Sequence, residues 1–233
     1  MSTYDFDLVA DRYDDWYDNP VGRMYDRIQK KAIDRALPIV AADGLMLEIG
    51  CGTGQWTEYF TSSGIRVVGV DISRQMLQVA GSKGIPSARF VRADAIHLPF
   101  KDGSFELISA ITSLEFVGDA RAVVLEAARC AKYGGWMVIG MLNRASLMAW
   151  LRKRRRSPLF AGARLMSVDE LGNLLDTIGV AKVYSTAFML PWRGLLWFSV
   201  VLNAVGRLFR LPFGDFMVGV LKIQFPIEGD NER

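Results

Sequence analysis

From residue 45 onward the chain alternates short, nearly unbroken apolar runs with longer stretches in which apolar residues return every three or four positions. The runs cover 45–49, 65–70, 87–94, 104–111 and 136–142, and two more fall at 180–190 and 213–223. Runs of this length without alternating polar positions read as strands buried on both faces. The stretches 55–61, 73–80 and 119–132 read as helices, and in the last of them Val123, Val124, Ala127 and Ala128 share one face. Ser73 stands where an N-cap belongs, Gly134-Gly135 closes the 119–132 helix, and Ser167 with Glu170 forms a capping box opening a helix that ends at Gly179. Ahead of the series, 21–37 is an amphipathic helix with Met24, Ile28, Ala32 and Leu37 on one side and Pro38 closing it. Strands alternating with helices predict an α/β fold, a doubly wound and mostly parallel sheet covered on both faces. In such a sheet ligands sit outside the carboxyl ends of the strands, where strand order reverses.

A glycine loop stands at that place. Gly50, Gly52 and Gly54 follow the first strand in the segment LEIGCGTGQW. The dinucleotide fingerprint puts its third glycine five positions after the first. Here the third glycine comes after four, and Gln55 occupies the fifth position, which disfavours a nicotinamide oxidoreductase. Asp71 ends the second strand, 21 residues after Gly50, the distance at which a carboxylate reaches a ribose diol. Asp94 and Ala95 follow the third strand, where an Asp can accept from an exocyclic amine while the next backbone N–H donates to a ring nitrogen. Glu48, just before the first glycine, is placed to organise the loop or to reach a ligand amine.

Composition narrows this little. The chain has 233 residues, enough for one large domain, and neither a repeat nor a long linker divides it. A net charge of +3 is too small to imply nucleic-acid binding. Two cysteines, Cys51 and Cys130, make neither a disulfide framework nor a metal cluster. The acidic N-terminal segment lacks the form of a signal peptide. The apolar stretch 194–206 is about a dozen residues, short of the ~20 a membrane-spanning helix needs. A cytoplasmic protein is expected. The basic run Arg152 to Arg156 reads as a solvated helix end, or as a patch for an anionic group or an acidic lipid surface. Trp192, Trp197 and Phe198 beyond it suit an apolar pocket, an amphipathic membrane contact or packing on the sheet.

The segments LEIGCGTG, VVGVDIS, VRADAIHLPFKDGSFELISAITSLEFV and EAARCAKYGGWMVIG resemble the successive motifs of class I S-adenosylmethionine (AdoMet)-dependent methyltransferases. The subgroup most resembled contains ubiquinone- and menaquinone-biosynthesis-like and related small-molecule enzymes. The likeness runs from about Leu45 to Leu142, and the opening FDLVADRYDDWYD resembles their N-terminal cap. It implies one Rossmann-like domain over 1–233, with seven strands, the last antiparallel, a helical cap over 1–40, and acceptor-side helices and insertions over 143–215. Gly50, Gly52 and Gly54 would let the backbone approach AdoMet. Asp71 would hold the ribose hydroxyls, with Ile72 against the adenine and Asp94 and Ala95 at its edge. Ser113 to Phe116 would lie near the sulfonium, and Tyr13 or Tyr17 would close over the methionine end.

Family members often carry Leu-His-His after the fourth strand, but this chain has Leu114-Glu115-Phe116. Glu115 is the carboxylate in that loop and is expected to face the acceptor as base or orienting acceptor. In-line displacement at a sulfonium asks mainly for positioning and electrostatics. The expected partner is a small apolar acceptor, quinone-like, polyketide or lipid, with no nucleic acid; an AdoMet-binding module without catalysis is the non-enzyme alternative.

Overall fold

The computed structural model describes residues 4–37, 44–154, 160, 162–188, 198–209 and 211–224. Seven strands form one sheet: β1 (Leu45–Ile49), β2 (Arg66–Asp71), β3 (Ala88–Arg92), β4 (Phe105–Ile111), β5 (Ala131–Leu142), β6 (Ala181–Thr186) and β7 (Phe216–Lys222). Their order is β3-β2-β1-β4-β5-β7-β6, parallel from β3 to β5, with β7 antiparallel to both β5 and β6. Strand order reverses between β1 and β4, so the loops leaving these two strands diverge and open a crevice at their carboxyl ends.

The sheet is buried on both faces, as its unbroken apolar strands require. Helices α1 (Asp15–Asp18), α2 (Pro20–Ala36) and α3 (Gln55–Ser62) come early, followed by α4 (Arg74–Ser82) and α5 (Ala120–Cys130). The last three are α6 (Leu147–Arg154), α7 (Val168–Leu175) and α8 (Phe198–Leu208). On one face Val123 and Val124 of α5 and Leu171 and Leu175 of α7 pack with Leu47, Ile108 and Met137. On the other, Ala32 and Ile33 of α2 and Trp56 and Phe60 of α3 pack with Met46, Leu107 and Phe216. Met46 and Leu47 thus serve opposite cores, as the two-residue period of a strand dictates.

Ser73 caps α4, its Oγ accepting from the Met76 N–H, and the Ser167–Glu170 capping box opens α7. Several boundaries differ from the pattern. The helix opened by the capping box stops at Leu175, short of Gly179. The helix expected to reach 132 ends at Cys130, and β5 begins at once with Ala131 opposite Phe105. A register shift then carries the ladder to Leu107 opposite Trp136. The intervening residues turn tightly, because a Cβ on Gly135 would stand 2.8 Å from the Lys132 carbonyl oxygen and 3.0 Å from that of Glu106. The two glycines therefore shape a bulge within the strand. β6 is also shorter than expected: it ends at Thr186, before Ala187 at φ +61°, and 189–190 lie outside the described residues, as does Pro38.

Residues 6–18 form a cap of two 3-10 turns, Phe6–Leu8 and Ala10–Arg12, followed by α1. Two aspartates latch it down. Asp7 accepts from the Ser73 hydroxyl and from the Gln75 N–H at 3.1 Å, at the start of α4. Asp14 accepts from Thr53 Oγ1 at 2.6 Å, inside the glycine loop, and pairs with Lys83 at 2.7 Å.

A buried polar knot joins α6 to the start of β7. Asp215, 1% exposed, accepts from Ser146 Oγ at 2.5 Å and from both terminal nitrogens of Arg152 at 2.8 and 2.6 Å. Asn143 Nδ2 donates to the carbonyls of Pro212 and Gly214 at 2.7 and 2.8 Å. Removing one member of such a pair leaves a charge without its partner. Asp215→Ala is therefore expected to lower unfolding stability by about 3–5 kcal/mol, read as a drop in the urea midpoint with an unchanged slope.

Candidate active site

The crevice is built from the loop outward. The N–H groups of Gly50 and Cys51 both donate to the Val70 carbonyl, at 2.8 and 3.0 Å, folding the loop over the end of β2. All three glycines have positive φ, +70°, +52° and +82°, but for different reasons. A Cβ on Gly50 would stand 2.3 Å from Ser113 Cβ, and one on Gly54 would stand 2.9 Å from Ile85 and 3.3 Å from Ala80. A Cβ on Gly52 would meet nothing within 4 Å. Gly54 serves the packing of α3 against α4, Gly50 the approach of the two loops, and Gly52 opens onto a cavity.

That cavity has a volume of about 250 Å³. Gly50, Gly52, Asp71, Ile72, Asp94, Ala95, Ser113 and Tyr13 line it, joined by Phe6, Thr112 and Phe116. Asp71 is clasped by backbone, Oδ2 accepting from the Gly52 N–H and Oδ1 from the Ser73 N–H, both at 2.9 Å. Burial pushes its carboxyl up, and these donors oppose the shift. Asp94 Oδ1 accepts from the Ile96 N–H at 3.3 Å, and its carbonyl accepts from His97 N–H, so the segment turns back on itself at the end of β3. Ser113 Oγ is buried and has no hydrogen-bond partner among the described residues.

Beside this cavity lies a second of about 430 Å³, and the two share Phe6, Tyr13, Thr112 and Phe116 as a common wall. The cap supplies much of its lining, with Tyr4, Val9, Arg12, Trp16 and Tyr17, and Tyr25 and Gln29 come from α2. Leu142, Arg152 and Phe160 complete it. Arg152 stands 5.2 Å from the Phe160 ring centroid, and burial pulls its guanidinium down to about 10, so it remains a cation at neutral pH. Thr112, on the shared wall, holds φ +51°, a conformation costly for a β-branched residue.

Four predicted residues stand off the first cavity. Gly54 is a packing glycine. Tyr17 lines the second cavity instead, its hydroxyl pushed up by burial. Glu48 is 2% exposed behind the loop, its Oε2 accepting from Thr57 Oγ1 at 2.5 Å, and burial raises it to about 8. Glu115 is fully buried and lines neither cavity. Its Oε1 accepts from the Leu142 N–H at 2.7 Å, whereas Oε2 has no partner among the described residues. Burial raises Glu115 to about 7, against the opposing pull of Arg152. The same carboxylate adds to the burial that pushes Tyr13 up to about 12. Phe198 lines neither cavity, and Trp192, Trp197, Arg155 and Arg156 lie outside the described residues.

Sequence reasoning missed Phe6, Thr112 and Phe160. Phe6 had a signal, as one of five aromatic residues set among the aspartates of residues 4–17. Thr112 had none, since its role lies in its backbone angle. Arg152 was read as part of a surface patch, yet it alone of the described basic residues in that run turns inward to Asp215.

The fold and the paired cavities define a Rossmann-like enzyme with a nucleotide-type site at the switch point of the sheet. A family model described as a methyltransferase domain matches residues 47–139. An uncharacterised protein of Methanocaldococcus jannaschii is 31% identical over 78% of this chain and 83% of its own length. The demethylmenaquinone methyltransferase of Thermobifida fusca is 33% identical over 58% of each chain. A SAM-dependent methyltransferase from Thermotoga maritima, described as a possible histamine N-methyltransferase, superposes with TM-score 0.75 at 24% identity, over 94% of this chain and 98% of that one. The chain belongs to the class I AdoMet-dependent methyltransferases, and AdoMet is its cofactor.

The residues present fit that group. Gly52 leaves open space where a side chain would intrude, Asp71 brings a braced carboxylate to the cavity, and Ser113 brings a hydroxyl with no partner among the described residues. Bound AdoMet supplies an electrophilic methyl group on a sulfonium. Asp71, Ile72, Asp94 and Ala95 would hold its nucleoside half, and Gly50, Gly52, Ser113 and Tyr13 the rest. Two substitutions separate the glycines' roles. Gly50→Ala is expected to unfold at clearly lower temperature through its clash with Ser113. Gly52→Ala is expected to lose only about 1 kcal/mol of stability but most of the melting-temperature rise that AdoMet, and not NADH, gives the native chain.

Proposed function

We propose that this chain transfers a methyl group from AdoMet to a small, largely apolar aromatic acceptor, of the kind of a quinone precursor, bound in the second cavity. The observation that carries the reading is the shared wall. The larger cavity meets the cofactor cavity at Phe6, Tyr13, Thr112 and Phe116, so an acceptor seated there lies across one layer of side chains from the cofactor. Its walls are mostly rings, Tyr4, Phe6, Tyr13, Trp16, Tyr17, Tyr25, Phe116 and Phe160, which suit a flat apolar molecule. The few polar groups among them are placed to orient it: Arg152, fixed by Asp215, together with Gln29 and Arg12. The demethylmenaquinone methyltransferase relative supports an acceptor of this class. Transfer of radiolabelled methyl from AdoMet to a panel of quinols, phenols, amines and lipids is the test. Label on the quinols or phenols is expected; label confined to amines, or none on any acceptor, counts against the reading.

Glu115 enters this scheme as a positioning residue. It braces Leu142 on the cavity wall and places its charge near Tyr13 and Arg152, the two lining groups best able to orient an acceptor hydroxyl. Because burial raises the folded carboxyl to about 7, the unfolded chain ionises first as pH rises. Folding stability from this group is thus lost between its ordinary value and pH 7, by about 3 kcal/mol in all. Glu115→Gln keeps an acceptor for the Leu142 N–H and removes the charge. It is expected to be more stable than the native chain at pH 8 but not at pH 4. Its kcat should fall about tenfold and the near-neutral limb of the pH–rate profile should vanish. An unchanged profile would remove Glu115 from the reaction.

A further inference from the structure

The charge of this chain is unevenly spread. Of its 28 Lys and Arg, eleven fall within the segments 143–167 and 177–214, and none of its 25 Asp and Glu do. The same region carries exposed apolar side chains. On α8, Phe198, Val201, Val205 and Leu208 recur at helical spacing and are all exposed, Leu208 at 77%. The chain then continues with exposed Phe209 (67%), Leu211 and Phe213 (58%). On α6, Leu147 and Trp150 are exposed, with Lys153 and Arg154 exposed beside them and the Arg154 guanidinium 4.7 Å from the Trp150 ring centroid. The hydrogen bonds of Asn143 to Pro212 and Gly214 bring the start of α6 beside the turn that holds Phe213.

We propose that this face, formed by α6, α8, Phe209 and residues 211–213, docks on an anionic lipid bilayer. Large apolar side chains standing in water are costly, and together they form a patch that needs a cover. The missing acids say what kind. A nucleic acid is read by basic and polar groups, and exposed Phe, Leu and Val would contribute nothing to phosphate contacts. A lipid interface takes both at once: apolar side chains enter the acyl boundary while Lys and Arg meet the headgroups, each worth about 1 kcal/mol near an acidic surface. Among the described residues no helix is long and apolar enough to cross a membrane, so the contact is peripheral. Helix α6 also links this face to the second cavity: Trp150 and Arg154 face out while Arg152 lines the cavity. Docking would bring the acceptor cavity close to the bilayer, where an acceptor with an apolar tail resides.

The test is co-sedimentation of the full chain with vesicles of phosphatidylcholine alone and of phosphatidylcholine mixed with phosphatidylglycerol. Retention on the acidic vesicles, weakened by salt and absent on the neutral ones, is expected. The pair Lys153→Glu with Arg154→Glu, and separately the pair Phe209→Ser with Phe213→Ser, should each weaken retention by about tenfold or more. Both sets lie away from the cofactor cavity, so the AdoMet-induced rise in melting temperature should survive in each and report an intact fold. No retention on acidic vesicles, equal retention on neutral ones, retention indifferent to both pairs, or capture by duplex DNA in place of vesicles would each overturn the proposal. None of these outcomes bears on methyl transfer to a soluble acceptor, which the radiolabel panel reads by itself.

Discussion

The carboxylate of Asp71 is held by two backbone N–H groups, one from the glycine loop after β1 and one from the start of α4. Much else about the cofactor crevice follows from that clasp. A carboxylate taken from water into a crevice needs donors, and here the donors are the parts of the chain that must be fixed for a nucleotide to bind. The Gly52 N–H can reach Asp71 only because the loop runs through positive φ at Gly50, Gly52 and Gly54. The loop can run there only because no side chain stands at Gly50, where Ser113 presses from the end of β4. One ion thus ties together the ends of β1 and β2, and, through Ser113, the crevice wall from β4. The Ile72 N–H adds to the clasp, and a carboxylate has about four lone-pair sites, so acceptor capacity remains.

The cap extends the same arrangement. Its two latches, Asp7 on the start of α4 and Asp14 on Thr53 and Lys83, fasten to the elements that Asp71 already organises. A short cap of 3-10 turns has little core of its own and gains order from these anchors. Its aromatic residues can therefore serve as walls: Phe6 and Tyr13 stand on the boundary of both cavities. The two cavities are not independent, since the segment that closes one encloses the other.

The sheet and the cofactor crevice were legible in the sequence because each rests on local rules. Buried parallel strands are apolar runs, Ser73 and the Ser167–Glu170 box are caps, and the distance from Gly50 to Asp71 is set by one strand–helix–strand unit. The bulge at the start of β5 was not, because Gly134-Gly135 satisfies a helix stop and a tight turn equally well, and only the pairing of Ala131 with Phe105 decides. The role of Gly54 was masked for a similar reason. A glycine against Ile85 and Ala80 looks in sequence like a glycine against a ligand.

Glu115 shows where such reading stops. Its position after β4 led to the expectation that it faces an acceptor, yet the direction of its side chain depends on the Leu142 N–H, an acceptor-seeking group at the end of a different strand, and it lines neither cavity. The chain uses that carboxylate to brace β5 behind the wall, and its second oxygen stays buried with no partner among the described residues. Arg152 makes the converse point. Within a run of five basic residues nothing marks one as buried; Asp215, 63 residues away, draws it inward, with the Tyr25 hydroxyl and the Glu115 carboxylate near it. The second cavity is assembled from the cap, α2, the ends of β4 and β5, and α6, and no short motif spans those elements. The first cavity is lined by residues close to three strand ends and so is written as motifs; the second is assembled by the tertiary fold and is visible only once the chain is folded.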